Sequence, residues 1–394
     1  MAHAPSATSA AVKKAMRLTT APIGAAKLLS RSVLLDAARA RQTQPGSRLY
    51  LTSVSNTSAS TPQVSNNRAI LFPGQGSQYV GMGRDLYETY PIARQTIDEA
   101  DAILSSMPPS LPSPSPQEEG YLKRVMFEGP QEELTRTENA QPAILTTSIA
   151  LLRVLETEHG LDLKEHCRFA LGHSLGEYSA LVATRALSLA DAVRLVRIRG
   201  DAMTVAVTDK KGMTAMSALV VRASKLDDLV KAMHDIQTEL SSTGEIAEIA
   251  NINSVVISGT VKGVDHASKT LQFRKIAARA VDLPVSLMEP AARVMKDALA
   301  DISFKQPIIP IVSNVQAQPI ESSYDIPSLL VQQVTETVQW RQSLVNLHSQ
   351  QQYNISDYIC IGPGKVICNL LRKEYPLDTI RSVSTVEDIL QWKL

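Results

Sequence analysis

The chain has almost no charge imbalance: 40 lysines and arginines face 39 acids over 394 residues. It therefore carries no global field that would draw nucleic acid, and no basic run interleaved with aromatics suggests a strand-binding groove. Three cysteines, Cys167, Cys360 and Cys368, form no CxxC pair. An odd count without that spacing argues against a disulfide framework or a zinc knuckle, so no metal is expected. No apolar run reaches the roughly eighteen residues that span a bilayer, and no membrane span is expected. What remains, 44% hydrophobic and 20% charged, is globular in composition and sufficient for one large core or two modest ones.

Charge is nevertheless uneven. The first 66 residues hold Lys13, Lys14, Arg17, Lys27, Arg31, Arg39, Arg41 and Arg48 against Asp36 alone, with Ala, Ser and Thr between them. Leu28, Leu29, Leu34 and Leu35 could line one face of a basic helix, the pattern of a mitochondrial transit segment. We expect 1–66 to be such a segment and the matrix to be the destination; a plain disordered tail is the other reading. A Pro/Ser-rich stretch at 105–120 reads as a surface insertion.

The folded part begins near Arg68, where Ala69-Ile70-Leu71-Phe72 reads as a buried strand entering the glycine loop of residues 73–78. A helical pattern covers 140–156. Phe169-Ala170-Leu171 reads as a strand that leads into Gly172-His173-Ser174-Leu175-Gly176 and a helix. Strand, sharp turn and helix are the setting of a G-x-S-x-G nucleophile elbow, in which small residues let the backbone turn tightly and lift the serine hydroxyl clear. An ordinary glycine-rich turn is the bland alternative. The loop GQGSQ at 74–78 lacks the spacing of either phosphate-binding glycine motif, and the second oxyanion donor required for acyl transfer fits it better. The amides of Leu175 and Gln75 suit that role.

Between 212 and 275 strand and helix patterns alternate as βαβα: strand 213–221, helix 225–240, strand 255–258 and helix 264–273. This resembles half of a ferredoxin-like module inserted into a larger α/β unit formed by 67–211 and 276–394. Residues 308–314 and 358–361 read as further buried strands. On a helix over 189–200, Arg197 and Arg199 fall on the two rims of the apolar stripe and Arg194 points away. Periodicity does not choose between the rim arginines, and solvated charges are the reading for Arg194 and Arg197.

Taken together, FPGQGSQYVGMG, GHSLGEYSALV, DAVRLVRIRG, VSNV, VQW and IGPGKV, in that order over about residues 69–372, resemble the malonyl-CoA:acyl-carrier-protein transacylases and the related acyltransferase domains of polyketide and fatty acid synthases. The resemblance implies an α/β fold: an α/β-hydrolase-like large subdomain with an inserted ferredoxin-like small one, and the site in the cleft between them. It implies Ser174 as the acylated nucleophile, the amides of Gln75 and Leu175 as oxyanion hole, and Arg199 as the clamp on malonate's free carboxylate. Gln339 would lie near the catalytic pair. Malonyl-CoA and acyl carrier protein are the expected partners, with no cofactor and a monomeric state.

The chain departs from that family at two places. Relatives carry a Phe-His segment between the equivalents of Ser286 and Leu287, and its histidine is the serine's general base; here the flanks join directly, and about six residues are absent. A shorter loss falls between Ser254 and Val255. His159, His166, His173, His234, His266 and His348 read as packing or surface residues rather than substitutes. A catalytically impaired pseudo-enzyme or carrier-protein-binding protein is therefore the alternative to an active transferase.

Overall fold

The computed structural model describes residues 67–108, 118–208, 214–251, 256–283, 288–350 and 352–393. The expected transit helix, most of the Pro/Ser-rich stretch and both departures from the family pattern lie outside the described residues.

Four parallel strands form the first sheet: β1 (Arg68–Phe72), β2 (Phe169–Gly172), β7 (Asp357–Ile361) and β8 (Thr379–Val383), in the order β2-β1-β7-β8. The central strand places Ile70 opposite both Ala170 and Ile359. Both its faces are covered: Ile70 and Phe72 enter the larger core, with Met82, Leu86 and Ile144, while Ala69 and Leu71 enter a second core with Trp340, Leu344 and Leu371. That is why β1 is a continuous apolar run and not an alternating one.

The second sheet is antiparallel, ordered β4-β5-β3-β6, from β3 (Thr214–Val221), β4 (Ala247–Asn251), β5 (Val256–Thr260) and β6 (Ala277–Leu283). Helices Leu226–Leu240 and Val261–Phe273 pack Leu229, Met233, Ile236, Val264 and Leu271 over one face. In chain order the elements are βαββαβ, the complete ferredoxin-like pattern. The expected boundary at 275 falls short, because β6 pairs with β3, Val281 opposite Ala218 and Leu283 opposite Met216. Arg279 and Asp282 had hidden that strand among polar residues.

The chain leaves for this sheet from helix Leu189–Thr208 and returns through helix Glu289–Ala300, and those two helices pack together. The expected strand at 308–314 makes only isolated bridges, Ala170 to Ile311 and Val312 to Pro319. Pro307 and Pro310 lack the amide donors that a ladder needs. Among the described residues no helix is long and apolar enough to cross a membrane.

Candidate active site

Strand β2 ends at Gly172, and the following turn puts Ser174 in the left-handed region at φ 52°. A side chain there is strained, and glycine on either side makes the turn possible. A Cβ on Gly172 would lie 1.8 Å from the Gly176 backbone, and one on Gly176 would lie 2.5 Å from the Phe72 carbonyl oxygen. The elbow is thus pressed against the end of β1. Asn314 holds it from the other side: its Nδ2 donates to the Gly172 carbonyl (2.7 Å), and its Oδ1 accepts from the Ser174 amide (2.7 Å).

The loop after β1 touches the same turn. A Cβ on Gly74 would lie 2.5 Å from the His173 carbonyl oxygen. Ser77 Oγ donates to the Gly74 carbonyl (2.9 Å) and closes the loop. Among the described residues, the backbone amides of Gln75 and Leu175 donate to no protein acceptor. Two amides from neighbouring strand ends are therefore free to meet an oxyanion.

Arg199 is 3% exposed. Its Nη2 donates to Ser174 Oγ (3.0 Å) and to Gln333 Oε1 (3.2 Å), and its Nη1 donates to Gln141 Oε1 (2.9 Å). All three acceptors are neutral, and among the described residues the buried Nε has no hydrogen-bond partner. Burial pushes the arginine's pKa down. A buried guanidinium that lacks a hydrogen-bonded carboxylate, set against a serine hydroxyl, is prepared for an incoming anion.

The reading of Arg197 as a solvated charge is overturned. It is 1% exposed, with Nε donating to Asp201 Oδ2 (3.0 Å) and Nη1 to Asn139 Oδ1 (3.0 Å). Asp201 lies one helical turn on, which explains why an arginine can be buried there. Arg194 is exposed.

Gln339 begins helix Trp340–Ser349. Its amide donates to the Asn314 carbonyl (2.7 Å), and its own carbonyl accepts from both the amide and hydroxyl of Ser343 (2.9 Å each). The histidines lie as follows. His173 meets the Trp340 ring edge-on, centroids 5.4 Å apart, and burial pushes its pKa down to about 4. His166 Nδ1 accepts from the Asp162 amide (2.9 Å), His266 faces Glu239 (3.5 Å), and His348 faces Asp378 (3.3 Å) while stacking on Tyr375. His159 and His234 lie on the helices Thr137–His159 and Leu226–Leu240. Among the described residues none of these hydrogen-bonds Ser174.

Sequence reasoning missed Asn314, Gln141, Gln333 and Glu177 as members of the site. Gln333 Nε2 donates to the Ser174 carbonyl (3.0 Å) and to Glu177 Oε2. Glu177 is 1% exposed, and burial pushes its pKa up to about 7, opposed by hydrogen bonds from Gln333 and the Asn314 backbone. The one available signal was a lone acid in the otherwise uncharged helix Gly176–Ala183.

The family model of the acyl transferase domain matches residues 70–356. The chain is 40% identical over 314 residues to a malonyl CoA-acyl carrier protein transacylase of Bacillus subtilis, covering 77% of this chain and 89% of that protein. It is 38% identical over 317 residues to the protein of that name in Escherichia coli K12, covering 77% and 92%. Its fold is similar to that of an acyl-carrier-protein-S-malonyltransferase of Bartonella henselae, with TM-score 0.71 and 38% identity over 82% of this chain and 97% of that one. A malonyl-transacylase solved in complex with its type II PKS acyl-carrier protein is similar at TM-score 0.69 and 31% identity, covering 82% and 98%.

Proposed function

The chain belongs to the acyl transferase domain family, and from that premise we propose that it moves the malonyl group of malonyl-CoA to the phosphopantetheine thiol of acyl carrier protein, for fatty acid synthesis, through an ester on Ser174. The observation that carries this reading is Arg199: a buried cation 3.0 Å from the serine hydroxyl, with only neutral acceptors and an unpartnered Nε among the described residues. A planar guanidinium can hold malonate's free carboxylate through paired charge-assisted hydrogen bonds. An acetyl group offers it nothing.

The steps follow from the positions. Ser174 Oγ attacks the thioester carbonyl carbon, and the oxyanion that develops faces the amides of Gln75 and Leu175. The C–S bond breaks, CoA leaves as its thiol, and the malonyl ester remains on the serine. The carrier's thiol then attacks that ester and releases Ser174. The attack needs an acceptor for the hydroxyl proton, and no described histidine hydrogen-bonds the serine. This favours the second reading, in which the chain with Ser286 joined to Leu287 binds its partners but turns over slowly.

Radiolabelled malonyl-CoA separates the outcomes. Label on the Ser174 peptide, lost on adding carrier protein, supports transfer; label elsewhere, or equal labelling from acetyl-CoA, overturns the assignment. We further propose import into the mitochondrial matrix, supported by the acid-poor basic 1–66, and a monomeric state. A reporter fused to 1–66 that stays in the cytosol, or light scattering that gives a dimer mass, would refute these.

A further inference from the structure

Gln333 sits at the junction of three groups that must keep fixed relative positions: the nucleophile's backbone, the buried arginine and a buried acid. Its amide is not free to rotate end over end. The NH2 end meets two oxygens, the Ser174 carbonyl at 3.0 Å and Glu177 Oε2. The oxygen end meets Arg199 Nη2 at 3.2 Å. Reversing the amide would set its oxygen against two acceptors and its NH2 against a guanidinium donor, leaving buried groups unpaired. Gln333 and Glu177 are 3% and 1% exposed, so no solvent is at hand to compensate. Glu177 follows Ser174 by three residues and joins the elbow's own helix to this junction.

Resting on the functional reading above, we infer that Glu177 and Gln333 are positioning residues for acyl selectivity. Glu177 orients the Gln333 amide, and the amide oxygen holds the Arg199 fork where it accepts a carboxylated acyl group beside Ser174. Neither side chain touches the reacting atoms. Their role is carried through the arginine, and it requires of Glu177 an acceptor oxygen at Oε2 more than a negative charge. Glutamine at 177 retains that oxygen; alanine removes it.

The test is equilibrium binding by the full chain, with amide analogues of malonyl-CoA and acetyl-CoA in which nitrogen replaces the thioester sulfur and acyl transfer is blocked. The wild-type chain should prefer the malonyl analogue. Glu177→Ala and Gln333→Met should each cut that preference about tenfold or more, the effect of misplacing a hydrogen-bonded charge, while affinity for the acetyl analogue stays within about threefold. Glu177→Gln should keep the preference within about threefold. A folded Glu177→Ala protein with wild-type preference overturns the inference, as does a Glu177→Gln protein that loses as much as the alanine variant. If melting shows Glu177→Ala unfolded, Gln333→Met decides, and wild-type preference in that variant refutes the role. A wild-type chain without preference would instead sink the functional reading beneath it.

Discussion

The two sheets differ in what lies at the ends of their strands. In the parallel sheet every strand runs the same way, so the ends of β1 and β2 open side by side, and they deliver the Gln75 loop and the Ser174 elbow to one place. Ligands of open parallel sheets meet the carboxyl ends of the strands for this reason. The loop after β7 closes on the first of these, since a Cβ on Gly362 would lie 2.5 Å from the Pro73 ring. In the antiparallel sheet the ends alternate, β5 alternates between buried and half-buried residues, and the cover is two amphipathic helices. Among the described residues it supplies none of the groups that touch Ser174. One sheet gathers the groups around Ser174, and the other carries its own core; in sequence the chain passes from β6 to the helix Glu289–Ala300 through the junction of Ser286 with Leu287.

The largest effect should come from that junction. Inserting a short Phe-His segment between Ser286 and Leu287 should accelerate Ser174 acylation by about three orders of magnitude or more, the usual cost of lacking one member of a nucleophile–base unit. Rapid-quench labelling of both proteins measures it. Equal rates would mean that the parallel sheet's machinery suffices alone, and the division of labour drawn above would fail.

A smaller effect probes the elbow's buried acid. Glu177 in the fold has its pKa raised to about 7 from an ordinary 4.5, so its protonated form stabilises the fold at low pH and that contribution is lost as pH rises from 4.5 through 7. Glu177→Gln removes the dependence. The variant should gain on the wild type by about 3 kcal/mol over that interval, at 1.36 kcal/mol per unit. His173 has the opposite sign. Its depressed pKa, about 4, means that the fold loses stability as pH falls below 6.5, equally in both proteins. Denaturant midpoints at pH 4.5 and 7.5 give the difference directly, and a constant gap would show that Glu177 is not held protonated by burial.

Arg199→Lys should follow. Lysine keeps the charge but not the fork, and the preference for malonyl over acetyl groups should fall about ten- to a hundredfold, with acetyl binding little changed. An unchanged ratio would return the clamp's identity to open question.

How far the sequence foretold this division depends on the range of each contact. RAILF and GHSLG were legible because a buried parallel strand and a strained turn write themselves into adjacent residues. Arg197 was misread although its partner, Asp201, stands four residues on, a spacing that a helix makes local. Asn314, Gln333 and Gln141 were not legible: their bonds reach Ser174 or Arg199 across 140, 159 and 58 residues, and no local pattern marks them. The strand expected at 308–314 failed at Pro310, and β6 was missed because its charges broke the apolar signal.

The smallest effect separates the sheets most cleanly. Thr260 caps helix Val261–Phe273 by accepting from the Gly263 amide (3.2 Å), and its hydroxyl also accepts from the Ile246 amide (3.1 Å). Thr260→Ala should cost about 1 kcal/mol, the usual worth of a cap. If the antiparallel sheet opens as its own unit, that loss should appear in hydrogen exchange as weaker protection of β5 and its helix, while the amides of β1 and β2 keep theirs. Serine acylation should not change. Loss of protection in both sheets together would make them one cooperative unit.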